Sequence, residues 1–126
     1  MAVEGDLGAG KSELARAVIR ARAGATIEVP SPTFTLVQAY ALPHLRVTHA
    51  DLYRLAAAEE VLELGLDEAL ATGALLVEWP ERAGDLLPAG RLTVRLEAPD
   101  PGEPELREAT LIATSAWRDR LPGLVP

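Results

Sequence analysis

Residues 5–12 read Gly5-Asp6-Leu7-Gly8-Ala9-Gly10-Lys11-Ser12, a complete G-x-x-x-x-G-K-[ST] phosphate-binding loop. No other feature of the chain constrains its fold so tightly. Such a loop turns successive backbone N–H groups into a concavity, which demands unusual φ/ψ values and a close approach of backbone to anion. Lys11 is the only lysine in the chain, so an ordinary surface role for it is hard to defend. The motif predicts a strand before the loop and a helix starting near Lys11, with the positive helix terminus against the phosphates. Gly5, Asp6, Leu7, Gly8, Ala9 and Gly10 would wrap the anion, Lys11 would reach the β- and γ-oxygens, and Ser12 would ligate Mg²⁺. A helix terminus alone contributes only about 0.3–1 kcal/mol to an exposed anion, so Lys11 and the metal must carry much of the binding. A glycine-rich turn capping a plain amphipathic helix is the competing reading.

The flanking pattern supplies the helix clearly and the strand barely. Leu14, Ala15, Val18, Ile19 and Ala23 fall on one face at helical spacing, with Arg16 and Arg20 off it and Gly24 as the stop. Only Met1-Ala2-Val3-Glu4 precede the loop. Further on, residues 26–29 read as a strand and Pro30-Ser31-Pro32 as a stiff turn. Residues 33–40 alternate polar and apolar up to a break at Pro43, and residues 45–49 are the partner strand of a hairpin. Residues 56–64 read as a helix closed by Gly65, residues 66–70 as a short helical turn, and Ala74-Leu75-Leu76-Val77-Glu78 as a buried strand ended by Trp79-Pro80. Two more strands are expected at 91–97 and 108–113. Between them residues 98–105 hold three prolines and a glycine and no arginine, and after them Ser115 would cap a last short helix carrying Trp117.

Composition narrows the class. A chain of 126 residues fits one domain, which would hide roughly two-thirds of its unfolded surface on folding. No apolar run approaches the roughly 18 residues of a membrane span and no signal peptide is evident, so no membrane association is expected. With no cysteine there is no disulfide framework or thiolate metal site, which fits a cytoplasmic protein. A net charge of −7 argues against autonomous nucleic-acid binding, so any contact with RNA would need a partner.

A phosphate-loop enzyme also needs a second acid, usually at the end of a neighbouring buried strand, to hold Mg²⁺ directly or through water. Glu78 ends an apolar run and fits that role; the plainer reading is the first solvated residue past a core strand. Asp51, just past the strand ending at His49, is the second candidate, with helix N-cap as its alternative. His49 itself reads as a structural histidine. Thr33 and Thr35 follow the double-proline turn and either reach the γ-phosphate or its metal as switch hydroxyls or are ordinary strand threonines. Trp79 either covers the site, anchors an interface or packs in the core. The chain has no asparagine, and its single lysine is committed, so the guanine-reading N-K-x-D element is absent and ATP is favoured over GTP. Gln38 is the only glutamine, which argues against a water-positioning glutamine.

Taken with the loop, the segments Pro30-Ser31-Pro32-Thr33-Phe34-Thr35-Leu36-Val37, His49-Ala50-Asp51-Leu52-Tyr53-Arg54-Leu55, Leu66-Asp67-Glu68 and Val77-Glu78-Trp79-Pro80-Glu81-Arg82 resemble the TsaE (YjeE) family. The likeness runs in motif order from Gly5 to about Leu87, and beyond Arg91 it is one of strand pattern only. It implies an α/β, three-layer P-loop NTPase fold with a mixed central sheet. It also implies a small ATPase of bacterial tRNA threonylcarbamoyladenosine (t6A) synthesis that binds ATP and Mg²⁺ and associates with the TsaD and TsaB proteins, touching tRNA only indirectly. The transfer chemistry would lie on those partners. By the same resemblance Lys11 and Ser12 keep their phosphate and Mg²⁺ roles, Thr33 and Thr35 lie in the first switch, Asp51 is the acid of the H-x-D-L-Y-R motif, and Glu78 with Trp79 form the second switch. Members of the family usually carry an upstream helix and a longer first strand, so residues 1–126 are expected to be a single domain lacking that helix and part of the strand. A P-loop small-molecule kinase and a non-hydrolysing, nucleotide-gated binding subunit are the alternatives.

Overall fold

The computed structural model describes residues 1–24, 27–30, 32 and 35–122. Six strands form one sheet: β1 Ala2–Glu4, β2 Val37–Leu42, β3 Leu45–Asp51, β4 Ala74–Glu78, β5 Thr93–Glu97 and β6 Glu108–Ile112, in the order β2-β3-β4-β1-β5-β6. β3, β4, β1 and β5 run parallel, and β2 and β6 close the edges antiparallel, giving the mixed sheet and α/β class that the sequence implies. Parallel strands are covered on both faces, and the side-chain alternation of β4 shows both layers. Leu76 packs with Val47 and Ile19 of the first helix, α1 (Lys11–Ala23). Its neighbours Leu75 and Val77 point the other way, into a cluster with Ala50, Leu52, Leu55, Val61, Leu66, Ala83 and Leu87. That second layer is built from a 3₁₀ segment Ala58–Glu63, helix α2 (Leu66–Thr72) and a kinked 3₁₀ segment Pro80–Leu86.

β1 is only three residues long, yet Ala2 and Val3 are buried and it bridges β4 and β5 at the centre of the sheet. A third cluster, Val3 with Ala9, Val94 and Leu96, secures it from the α1 side together with Leu14. Fully burying an aliphatic side chain contributes about 1.5–3 kcal/mol, so these contacts offset the short ladder.

Several expected elements differ in extent. Residues 27–30 form no strand: the Ile27 and Val29 carbonyls accept hydrogen bonds from Arg20 Nε (3.1 Å) and Arg16 Nε (3.2 Å) of α1, and so line the helix without joining a ladder. Of the strand expected over 33–40, residues 33 and 34 lie outside the described residues, and β2 runs from Val37 because Leu36 sits at φ +66° with its N–H donated to the Pro32 carbonyl. Pro43 and His44 make the hairpin turn, His44 at φ +62°. β3 runs on through Asp51, so that residue belongs to the strand and caps no helix. The expected helix over 56–64 is a 3₁₀ segment, entered from an extended Ala57 and closed by an i→i−3 bond from Leu64 to Val61. The last helix, α3 (Ser115–Arg118), is capped in position by Thr114 without a side-chain bond, so Ser115 is its first residue and not its cap. Trp117 of α3 donates its ring N–H to the Gly90 carbonyl at 2.9 Å. No helix among the described residues is long and apolar enough to cross a membrane.

Candidate functional site

The α1-facing side of the sheet changes character along its length. Val47, His49 and Asp51 share that side of β3, and Leu76 and Glu78 share it on β4, with Asp51 and Glu78 in register as neighbours. At one end the row is apolar and rests on Ile19. At the carboxyl end it becomes His49, Asp51 and Glu78, all buried, directly facing the start of α1. Three ionisable groups in such a place are costly unless they are hydrogen-bonded or paired.

Glu78 is held from both oxygens. Ser12 Oγ donates to Oε1 at 2.8 Å and His49 Nε2 donates to Oε2 at 2.6 Å, while Glu78 is 2 % exposed and His49 1 %. Burial pushes the Glu78 carboxyl upward, but the bonds from His49 and Ser12, with the positive charge of Lys11, outweigh it and hold the group below its ordinary value. His49 Nδ1 is buried with no hydrogen-bond partner among the described residues. Asp51 accepts the Tyr53 backbone N–H at 3.0 Å, which fixes the turn leaving β3.

The loop itself turns where glycine is required. A Cβ on Gly5 would lie 2.7 Å from the Leu96 carbonyl oxygen and 2.9 Å from Ala9 Cβ, and Gly10 enters α1 at φ +101°. Lys11 is 5 % exposed and its ammonium donates to the Gly5 and Asp6 carbonyls, 2.7 Å each. That ammonium also stands 4.2 Å from the centre of the Trp79 ring. Burial lowers the Lys11 pKa, opposed by the carboxylates of Glu78, Glu81, Asp51 and Asp6. Trp79 takes φ +57°, an uncommon backbone for a bulky residue, and packs against Tyr53 at 4.8 Å between ring centres. Arg82 in turn stacks on Tyr53 at 5.3 Å.

A cleft of about 420 Å³ opens over these groups, lined by Gly8, Gly10, Lys11, Ser12, Asp51, Glu78 and Trp79 among others. A second, of about 670 Å³, lies on the far side of the loop along Gly5 to Ala9 and the end of β5. The structure thus brings together Gly5, Asp6, Leu7, Gly8, Ala9, Gly10, Lys11, Ser12, Asp51 and Glu78. Thr33 lies outside the described residues. Thr35 is exposed, accepts a bond from Gln38 Nε2 at 3.4 Å, and lines neither cleft.

Two contacts are not legible from sequence. His49 reads there as structural, and its bond to Glu78, 29 residues away, shows only in the folded chain. Arg107 stands just before β6, outside every motif, yet its guanidinium bonds the Ala9 carbonyl at 3.0 Å and the Gly8 carbonyl at 3.2 Å. No sequence pattern points to it.

Among the described residues no group of three or more His, Asp or Glu forms a metal cage. The donors present could instead serve a hard cation shared with a ligand: the Ser12 hydroxyl gives its proton to Glu78, leaving its lone pairs open, beside two carboxylates.

The family model described as threonylcarbamoyl adenosine biosynthesis protein TsaE matches residues 1–106. Similar curated proteins include the "tRNA threonylcarbamoyladenosine biosynthesis protein TsaE" of Rickettsia bellii, 44 % identical over 98 residues, covering 78 % of this chain and 68 % of the relative. The same protein of Rickettsia conorii is 43 % identical over 98 residues, covering 78 % of this chain and 56 % of the relative. The crystal structure of Bacillus subtilis YdiB superposes with a TM-score of 0.71 at 33 % identity, covering 95 % of this chain and 71 % of that one. The chain belongs to the TsaE family, of tRNA threonylcarbamoyladenosine biosynthesis.

Proposed function

We propose that this chain is the ATP-binding and ATP-hydrolysing subunit that supports t6A modification of tRNA, acting with TsaD and TsaB. The observation that carries this reading is the buried chain Ser12–Glu78–His49 beside Lys11, at the mouth of a phosphate-loop cleft. A site meant only to grip an anion has no use for Glu78 and Asp51, which repel it. Both fit a site where a polyanion arrives with a divalent cation.

The loop N–H groups and the α1 terminus cradle the phosphates, and Lys11 exchanges the Gly5 and Asp6 carbonyls for phosphate oxygens. Ser12 and Glu78, with Asp51 as the neighbouring acid, would hold Mg²⁺ directly or through water. When bound, the ion neutralises charge on the β- and γ-phosphoryl oxygens. His49 orients Glu78, and Trp79 covers the Lys11 ammonium until a ligand draws it away.

Gln38, the only glutamine, lies on β2 and is engaged with Thr35, so no glutamine among the cleft residues positions a water. Hydrolysis by the isolated chain is therefore slow. A supplied arginine contributes about 10³- to 10⁵-fold in comparable enzymes, which is the kind of help a partner can give. Phosphate release measured with and without TsaD and TsaB tests the reading: slow turnover alone and stimulation by the pair are expected. Rapid turnover indifferent to the partners, or no turnover in any mixture, contradicts it.

A further inference from the structure

β6 runs antiparallel to β5, with Glu108 opposite Glu97, while β1 pairs with β5 so that Glu4 lies opposite Arg95. The start of β6 therefore returns to the end of the sheet from which the phosphate-binding loop departs. Arg107 occupies that return point. Its Nε donates to the Ala9 carbonyl at 3.0 Å and its Nη2 to the Gly8 carbonyl at 3.2 Å, across 98 and 99 residues of sequence. Its Nη1 is tied to its own segment through the Pro104 and Leu106 carbonyls. The guanidinium thus joins the phosphate loop to the proline-rich connection.

In a trans peptide the C=O and N–H point in opposite directions. Holding the Gly8 carbonyl therefore aims the Ala9 N–H away from Arg107, and that N–H closes the loop's internal turn onto the Asp6 carbonyl at 3.0 Å. Holding the Ala9 carbonyl likewise turns the Gly10 N–H away from Arg107, on a residue that lines the Lys11–Glu78 cleft. Gly8 and Gly10 have φ of +80° and +101°, and a Cβ at either would meet nothing within 4 Å. These two peptides have wide conformational freedom and no side-chain packing of their own to limit it.

We infer that Arg107 is a positioning residue of the phosphate-binding loop: it fixes the Gly8 and Ala9 carbonyls from outside, so that the Ala9 N–H keeps the internal turn closed on Asp6 and the Gly10 N–H stays aimed for phosphate. It lies immediately beyond the stretch matched by the family model, residues 1–106. Its planar fork matters because one side chain must reach two carbonyls at once, which an ammonium on a flexible stem does poorly.

The inference rests on the nucleotide-binding reading, and the test separates the two. In the ligand-free chain, Arg107→Ala should speed hydrogen exchange of the Ala9 amide about fivefold or more relative to amides of β4, with the thermal midpoint little moved. With MgATP, Arg107→Ala should weaken binding about tenfold, and Arg107→Lys should recover only part of that loss. Unchanged Ala9 exchange in Arg107→Ala overturns the proposal whether or not the chain binds ATP. So does full recovery by Arg107→Lys, which would reduce the role to charge, and so does exchange that rises equally throughout the sheet. Absence of MgATP binding by the wild-type chain would count against the nucleotide reading alone, leaving the exchange measurement to decide on Arg107.

Discussion

The two sides of β1 handle similar chemistry in opposite ways. On the β3–β4 side, Glu78 meets His49 and Ser12 in a place almost closed to water, where losing a partner is costly. On the β5 side, Glu4 meets Arg95 at 3.0 Å with side chains 29 % and 46 % exposed, at the same end of the same sheet. Water screens the second pair and can replace either partner, so it adds little to stability. The first pair has no such substitute: removing a member strands a buried charge or a buried donor. A buried acid held by two donors beside the only lysine is therefore the informative polar feature, while the half-exposed ion pair lines the second cleft in contact with water.

If that contrast is right, substitutions around Lys11 and Glu78 should far outweigh those around Glu4. The largest effect belongs to Lys11→Ala, which should weaken MgATP binding by at least about 30-fold, the scale of truncating one partner of a buried charge pair. The fold should persist, because Lys11 supplies charge and little core volume; circular dichroism would check this. Next, Glu78→Gln should lower partner-stimulated phosphate release by about 100-fold with a smaller change in binding, as seen for loss of one electrostatic contact in other active sites. Equal losses in binding and turnover would assign Glu78 to ligand binding only.

His49→Ala leaves Glu78 Oε2 without its donor, which should cost about 1–3 kcal/mol in urea unfolding. It also removes an influence that lowers the Glu78 pKa while leaving burial in place, so the carboxyl should titrate at higher pH, readable by NMR. In the wild-type chain the folded Glu78 pKa is depressed below 4.5. Its contribution to stability is then complete above that pH and lost as pH falls through the depressed value. Glu78→Gln should flatten that part of the acid-unfolding curve, and identical curves for the two proteins would refute the coupling. The smallest effect is expected from Arg95→Ala, no more than about 1 kcal/mol in stability. A loss comparable to that of His49→Ala would erase the contrast between the two sides.

Much of this architecture is visible in the sequence where local pattern and burial agree. The loop, α1 with its Gly24 stop, and β4 over Ala74–Glu78 follow directly from glycine placement and apolar runs. The segment 27–30 misleads because β-branched residues suit an extended chain whether its carbonyls meet a strand or, as here, two arginines of a helix. Leu36 at φ +66° is invisible to pattern reading and shifts the start of β2. The acids Asp51 and Glu78 can be proposed one by one, but their adjacency depends on the β3–β4 register. His49 and Arg107 act through contacts 29 and 98 residues away in sequence, which only the folded topology brings close.

The central claim is that the cleft over Lys11 and Glu78 takes a nucleotide together with its cation. Isothermal titration of the wild-type chain with ATP, in the presence of Mg²⁺ and then of a chelator, tests it directly. The account predicts saturable binding with Mg²⁺, strongly weakened by the chelator because Asp51 and Glu78 then face an unneutralised polyanion, and lost in Lys11→Ala. Binding that ignores the chelator, or that survives unchanged in Lys11→Ala, would contradict it.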